Sequence, residues 1–98
     1  LLCPTAASTA FKHDQKGDRW DRLIPINGKS ESALDQMFWA GISGLPYLPS
    51  TVAPAGICSD GLPCGLQIIA PHGYDKRSIA FAAMMEQELG GFTPPPGY

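Results

Sequence analysis

The clearest helical period lies mid-chain. Leu34, Met37, Phe38 and Ile42 recur at i, i+3, i+4 and i+8, the spacing that lines one face of a 3.6-residue turn. Ser32 with Asp35 three positions later fits a capping box. Gly41, Gly44 and Pro46 weaken and then end the run, so a helix is predicted over 32–43. A second stripe is formed by Ile79, Ala82, Ala83 and Leu89, widened by Phe81, Met84 and Met85. Asp75 is its expected N-cap and Gly90-Gly91 its C-cap. Lys76 and Arg77 in its first turn oppose the macrodipole, at a cost of roughly tenths of a kcal/mol.

The remaining apolar runs read as strands. Residues 47–53 are aromatic and β-branched enough for one, with Pro49 confined to its start or to a sheet edge. Residues 54–63 read as a loop. Residues 64–70 are apolar except for Gln67, as expected of a strand covered on both faces. The connection between these two strands is too short for a crossover helix, so as neighbours they are antiparallel. Residues 1–5 are expected to be a buried strand end. A helix separates them from the second strand, which favours a parallel, right-handed crossover and so a mixed sheet. Residues 12–29 hold half of the charged residues and are broken by Gly17, Pro25 and Asn27-Gly28. They are expected to be an irregular surface loop, with Trp20 folded back onto the protein. The prolines of the tail predict extended chain.

Composition narrows the class. With 11 Gly and 10 Pro in 98 residues the chain is rich in turns, yet 44% of it is hydrophobic and its net charge is -2, unlike a disordered chain. That charge disfavours a nucleic-acid partner, which calls for clustered Lys and Arg. The apolar runs fall short of the roughly 20 residues that span a bilayer, so no membrane partner is expected. The odd set Cys3, Cys58 and Cys64 reads as reduced thiols of a cytoplasmic protein, although Cys58 and Cys64 are near enough in sequence to approach one another. The opening Leu1-Leu2-Cys3-Pro4-Thr5 reads as the end of a strand begun elsewhere, with a processed terminus as the alternative. Three strands and two helices leave the sheet under-covered, which points to missing partners.

Signatures of independent chemistry are weak. Gly41-Ile42-Ser43-Gly44 has its second glycine one position too early for a nucleophile elbow and sits at a helix end. His13, Cys58, Cys64 and His72 lack the compact spacing of a zinc site. Asp14, Asp18 and Asp21 are interleaved with Lys and Arg and lack the downstream glutamate of a calcium loop. No metal or other cofactor is expected.

One long constellation remains. It comprises Leu1-Leu2-Cys3-Pro4-Thr5, Ala10-Phe11-Lys12-His13-Asp14, Trp39-Ala40-Gly41, and Leu45-Pro46-Tyr47-Leu48-Pro49 with Val52-Ala53-Pro54-Ala55-Gly56. It closes on Gly61-Leu62-Pro63-Cys64-Gly65-Leu66-Gln67-Ile68-Ile69 and a final helix before Gly-Gly. Over essentially its whole length this chain resembles the carboxy-terminal quarter of amidase signature enzymes, and Tyr98 resembles the true end of such a chain.

The resemblance implies an α/β fold class: a fragment of an α/β/α layered fold with a mixed sheet of about three strands, and two helices. It implies hydrolysis of carboxylic amides by a Ser-Ser-Lys triad, without a metal. All three triad residues belong to the family's earlier part, so no residue of this chain is assigned a catalytic role. By position, Phe11, Asp35, Phe38 and Trp39 become candidates for the substrate pocket wall. Each has a plainer role: Phe11 as a loop anchor, Asp35 in the helix cap and Phe38 in the core stripe, while Trp39 lies off that stripe. The implied partners are a small-molecule amide and the remainder of an amidase chain. A non-catalytic assembly module, pairing into a homo-oligomer through exposed sheet edges, is the alternative.

Overall fold

The computed structural model describes residues 1–97; the expectation for Tyr98 lies outside them. The elements in chain order are β1 (Leu2–Pro4), β2 (Leu23–Ile26), β3 (Lys29–Ser32), α1 (Met37–Gly44), β4 (Ser50–Ile57), β5 (Pro63–Ile69) and α2 (Asp75–Leu89). Short 3-10 turns precede β2 and α1.

The main sheet has the order β1-β5-β4. Both ladders are antiparallel, with Cys3 opposite Gln67 and Val52 opposite Gln67. β1 and β4 therefore point the same way, as the intervening helix predicts, but β5 lies between them. The class is α/β, with helices on the two faces of one sheet. Alternation along the strands sorts the residues. Thr51, Ala53, Leu66 and Ile68 share one face, and Cys3, Val52 and Gln67 share the other.

On the first face Ala53, Ile68 and Met85 form the core, with Leu66 and Ala82 packed against them. Ser78 is the most buried residue at 2% exposed. Its hydroxyl donates to Asp75 O at 2.8 Å and accepts from Thr51 Oγ1 at 2.9 Å. α2 thus lies on the sheet through Ser78, Ala82 and Met85. This corrects the expected stripe, since Ile79 and Leu89 are exposed. Small Ser78 and Ala82 let the helix sit close, and Thr51 supplies the hydroxyl partner.

Gln67 governs the second face. Its Nε2 donates to Trp39 O at 3.1 Å and to Cys3 Sγ at 3.2 Å. Its Oε1 accepts from Ser43 Oγ at 3.5 Å. α1 is thereby fixed over β5. Gln67 and Ile68 are both buried, so the prediction of a strand covered on both faces holds for that part of β5.

The other expectations fare unevenly. Ser32 does cap, its Oγ accepting from Leu34 N at 3.2 Å, but the first turn is 3-10 and α1 proper starts at Met37. Leu48 N donates to Ser43 O and Tyr47 N to Gly44 O, with Tyr47 at φ 56, a Schellman closure that usually employs glycine. Asp75 is the first residue of α2 rather than its cap. β4 runs four residues beyond the predicted strand, through a bulge at Pro54/Gly56. Leu1 and Leu2 are exposed instead of buried, because β1 is a short edge strand.

The segment predicted as loop contains the β2–β3 hairpin. Asn27 and Gly28 at its tip have φ 51 and 76, the left-handed pair that a tight two-residue hairpin requires. Trp20 does not fold back as expected. It is 62% exposed, with the Arg19 guanidinium 4.6 Å from its ring centroid. That stacking shields one aromatic face without burial.

Candidate functional site

The hairpin and the turn before α1 create a small apolar basin. Ile24 is buried in β2, and Ala33 N donates to Arg22 O at 2.9 Å, drawing the two segments together. Phe11, Ile24, Ala33 and Leu34 line a cavity of about 210 Å³ beside Lys12, Asp14, Arg19 and Arg22. Arg22 Nε is buried there without a hydrogen-bond partner among the described residues. The basin suits an apolar group with a polar or anionic end.

The four sequence candidates do not converge on it. Phe11 lines the basin and is 53% exposed. Asp35 is exposed in the 3-10 turn, where its carbonyl accepts from Met37 N. Phe38 and Trp39 meet edge to face, with centroids 5.3 Å apart. Phe38 is 63% exposed, which corrects its assignment to the core stripe; Met37 beside it is exposed too. Half-buried Trp39 meets β5 through its backbone carbonyl and Ser43 through its hydroxyl, both bonded to Gln67. Ile24 and Arg22 escaped the sequence reading. The Asn27-Gly28 pair was the available signal, since a hairpin there places Ile24 opposite Glu31 and fixes its face.

A second cleft of about 420 Å³ lies between residues 4–10 and the β4–β5 turn, with Cys58 and Cys64 in its wall. Thr9 Oγ1 donates to Asp60 Oδ2 at 2.6 Å, and Leu62 N donates to Asp60 Oδ1 at 3.0 Å. These bonds hold the Asp60 carboxyl below its ordinary value of 3.8, Thr9 having the larger effect.

Ser43 offers no nucleophile. It is buried inside α1, and its hydroxyl lies 3.4 Å from Ala40 O and 3.5 Å from Gln67 Oε1. Asp14 and Asp18 accept from Lys16 N and Trp20 N, so they stabilise local turns. Among the described residues, no three His, Cys, Asp or Glu side chains are grouped to hold a metal ion.

Relatives decide the family. A glutamyl-tRNA(Gln) amidotransferase subunit of Tropheryma whipplei is 40% identical over 90 residues, covering 92% of this chain and 15% of the relative. The protein of the same name from Salinispora tropica is 41% identical over 99 aligned positions, 97% of this chain and 17% of the relative. The chain belongs to the amidase signature family. Fatty-acid amide hydrolase 2-A of Danio rerio is 39% identical over 57 residues, 58% of this amidase signature chain and 11% of the relative. The chain thus spans about one-sixth of the length of the two amidotransferase relatives it matches. No protein-family model matches it. No helix among its described residues is long and apolar enough to cross a membrane.

Proposed function

We propose that this chain is the carboxy-terminal segment of a cytoplasmic amidase and supplies scaffold while the bond-breaking groups lie elsewhere. The parent hydrolyses a carboxylic amide to the acid and ammonia or amine. In that route a serine attacks the carbonyl, a bridging serine and a neutral lysine move its proton, and water releases the acyl group. Backbone amides hold the oxyanion in a water-poor site, usually the largest contribution to rate. The observation that carries the reading is the match along 92% of this chain to only 15% of a relative. The structure is consistent with it, because the one serine in an elbow-like sequence is buried and bonded to Gln67.

Phe11, Asp35, Phe38 and Trp39 would then face the acyl side of the amide. The edge-to-face pair Phe38–Trp39 and the Phe11 basin favour an aliphatic or aryl acyl group. Ammonia or amine release from a panel of such amides tests the reading. The full-length parent turns them over and the purified 98-residue chain does not; turnover by the chain alone refutes it.

The open margins of the sheet favour a second reading. β1 and β4 are both edge strands, and unpaired edges recruit further strands. An assembly module would form dimers or larger species through them. Sedimentation equilibrium decides: a monomer at all concentrations removes this reading.

A further inference from the structure

We propose that Cys58 and Cys64 are a dithiol modification site that closes into an intramolecular disulfide when it meets a low-molecular-weight disulfide. The inference is independent of the amidase reading.

Three observations place the thiols together. The ladder sets Gly56 opposite Cys64 and Ile57 opposite Pro63, and Cys58 N donates to Leu62 O at 2.9 Å. Cys58 and Cys64 therefore occupy diagonal positions on one face of the hairpin, as near neighbours across the strands. The bulge at Pro54/Gly56 immediately precedes them, and a bulge increases local strand twist. Cys64 Sγ lies 3.4 Å from Gly56 O, two residues before Cys58 on the facing strand, and the neighbouring Cys64 thiol is the main cause that raises the Cys58 pKa. Both thiols are free, neither is fully buried, and both open into the 420 Å³ cleft, which gives a reagent access.

Cys3 is the internal contrast. Its Sγ accepts from Gln67 Nε2 at 3.2 Å on the face beneath α1, away from the other two. The turn between the pair contains Gly61 at φ 79, which allows the small backbone adjustment that disulfide geometry demands.

The reaction balances with oxidised glutathione. One cysteine thiolate attacks its S–S bond, forming a mixed disulfide and releasing a glutathione thiolate, which takes up a proton. The second cysteine loses its proton and attacks the cysteine sulfur of that mixed disulfide. The Cys58–Cys64 bond forms and a second glutathione leaves. Two electrons pass from the pair to the reagent, and the product stitches the β4–β5 turn across the wall of the cleft.

The test is to equilibrate the purified chain with graded ratios of oxidised to reduced glutathione, alkylate, and digest with trypsin. Cleavage at Lys29 and Lys76 leaves both cysteines in one peptide, and cleavage at Lys12 puts Cys3 in another. The expected result is loss of alkylation at Cys58 and Cys64 together, with that peptide lighter by two hydrogens and Cys3 still alkylated. Cys58→Ser and Cys64→Ser should each abolish the lighter species, and far-UV circular dichroism checks that each variant folds. Should a variant fail to fold, the wild-type peptide masses alone decide. Separate glutathione adducts on both cysteines, links between chains, pairing with Cys3, or full alkylation at every ratio would each overturn the proposal.

Discussion

Gln67 joins three elements from the middle of β5. Its amide bonds Trp39 O and Cys3 Sγ and accepts from Ser43. Gln67→Leu keeps the volume but strands buried polar partners, so it should lower unfolding stability by about 1–3 kcal/mol. Urea denaturation measures this, and an unchanged midpoint would show that the bonds are dispensable. Asp60 has a different sensitivity. Its folded pKa lies below the ordinary 3.8, mainly through Thr9. A lowered carboxylate pKa adds stability above the unfolded value and loses it as pH falls through the folded one. The tie between the turn and residues 5–10 should persist at pH 5 and release only below the ordinary carboxylate range. Carboxyl-carbon NMR of Asp60 follows the titration, and a midpoint at or above 3.8 would contradict the assigned bonds.

At the scale of elements, α2 makes the sharpest claim. Its sheet-facing side is Ser78, Ala82 and Met85, while Ile79 and Met84 are exposed. Met85→Ala should cost about 2 kcal/mol or slightly more. Met84→Ala and Ile79→Ala should stay within roughly 0.5 kcal/mol. Thermal or urea unfolding of the three variants checks the order, and a larger loss at Ile79 would restore the stripe read from periodicity. That reading failed for a physical reason. α2 is apolar around much of its circumference, so period alone leaves its rotation open, and the Ser78–Thr51 bond settles it. β5 was legible because residues 64–70 are apolar except for Gln67 and too few for an ordinary helix, which suits a covered strand. The β2–β3 hairpin was not, because Pro25, Lys29 and Glu31 disguise its strands. Only Asn27-Gly28 marked it. Of the candidate site, the sequence sets Phe38 and Trp39 side by side but did not reveal that Phe38 is exposed, and Phe11's basin depends on a hairpin that long-range pairing builds.

The whole molecule has too few layers for its apolar surface. Phe38, Leu45, Tyr47 and Val52 are exposed together with Ile79, Met84 and Leu89, and among the described residues both margins of the main sheet lack a neighbouring strand. A single-domain enzyme seldom leaves so much apolar area open. A segment that packs against the rest of an amidase would, and the length relation to its relatives agrees. Phe11, Asp35, Phe38 and Trp39 do not meet in one cavity here, so the pocket role proposed for them belongs to that larger context alone. The most direct measurement is amide hydrolysis by the purified chain and by its full-length parent, side by side on the same aliphatic and aryl amides. The account predicts turnover by the parent and none by the chain; acid and amine released by the chain itself would contradict it.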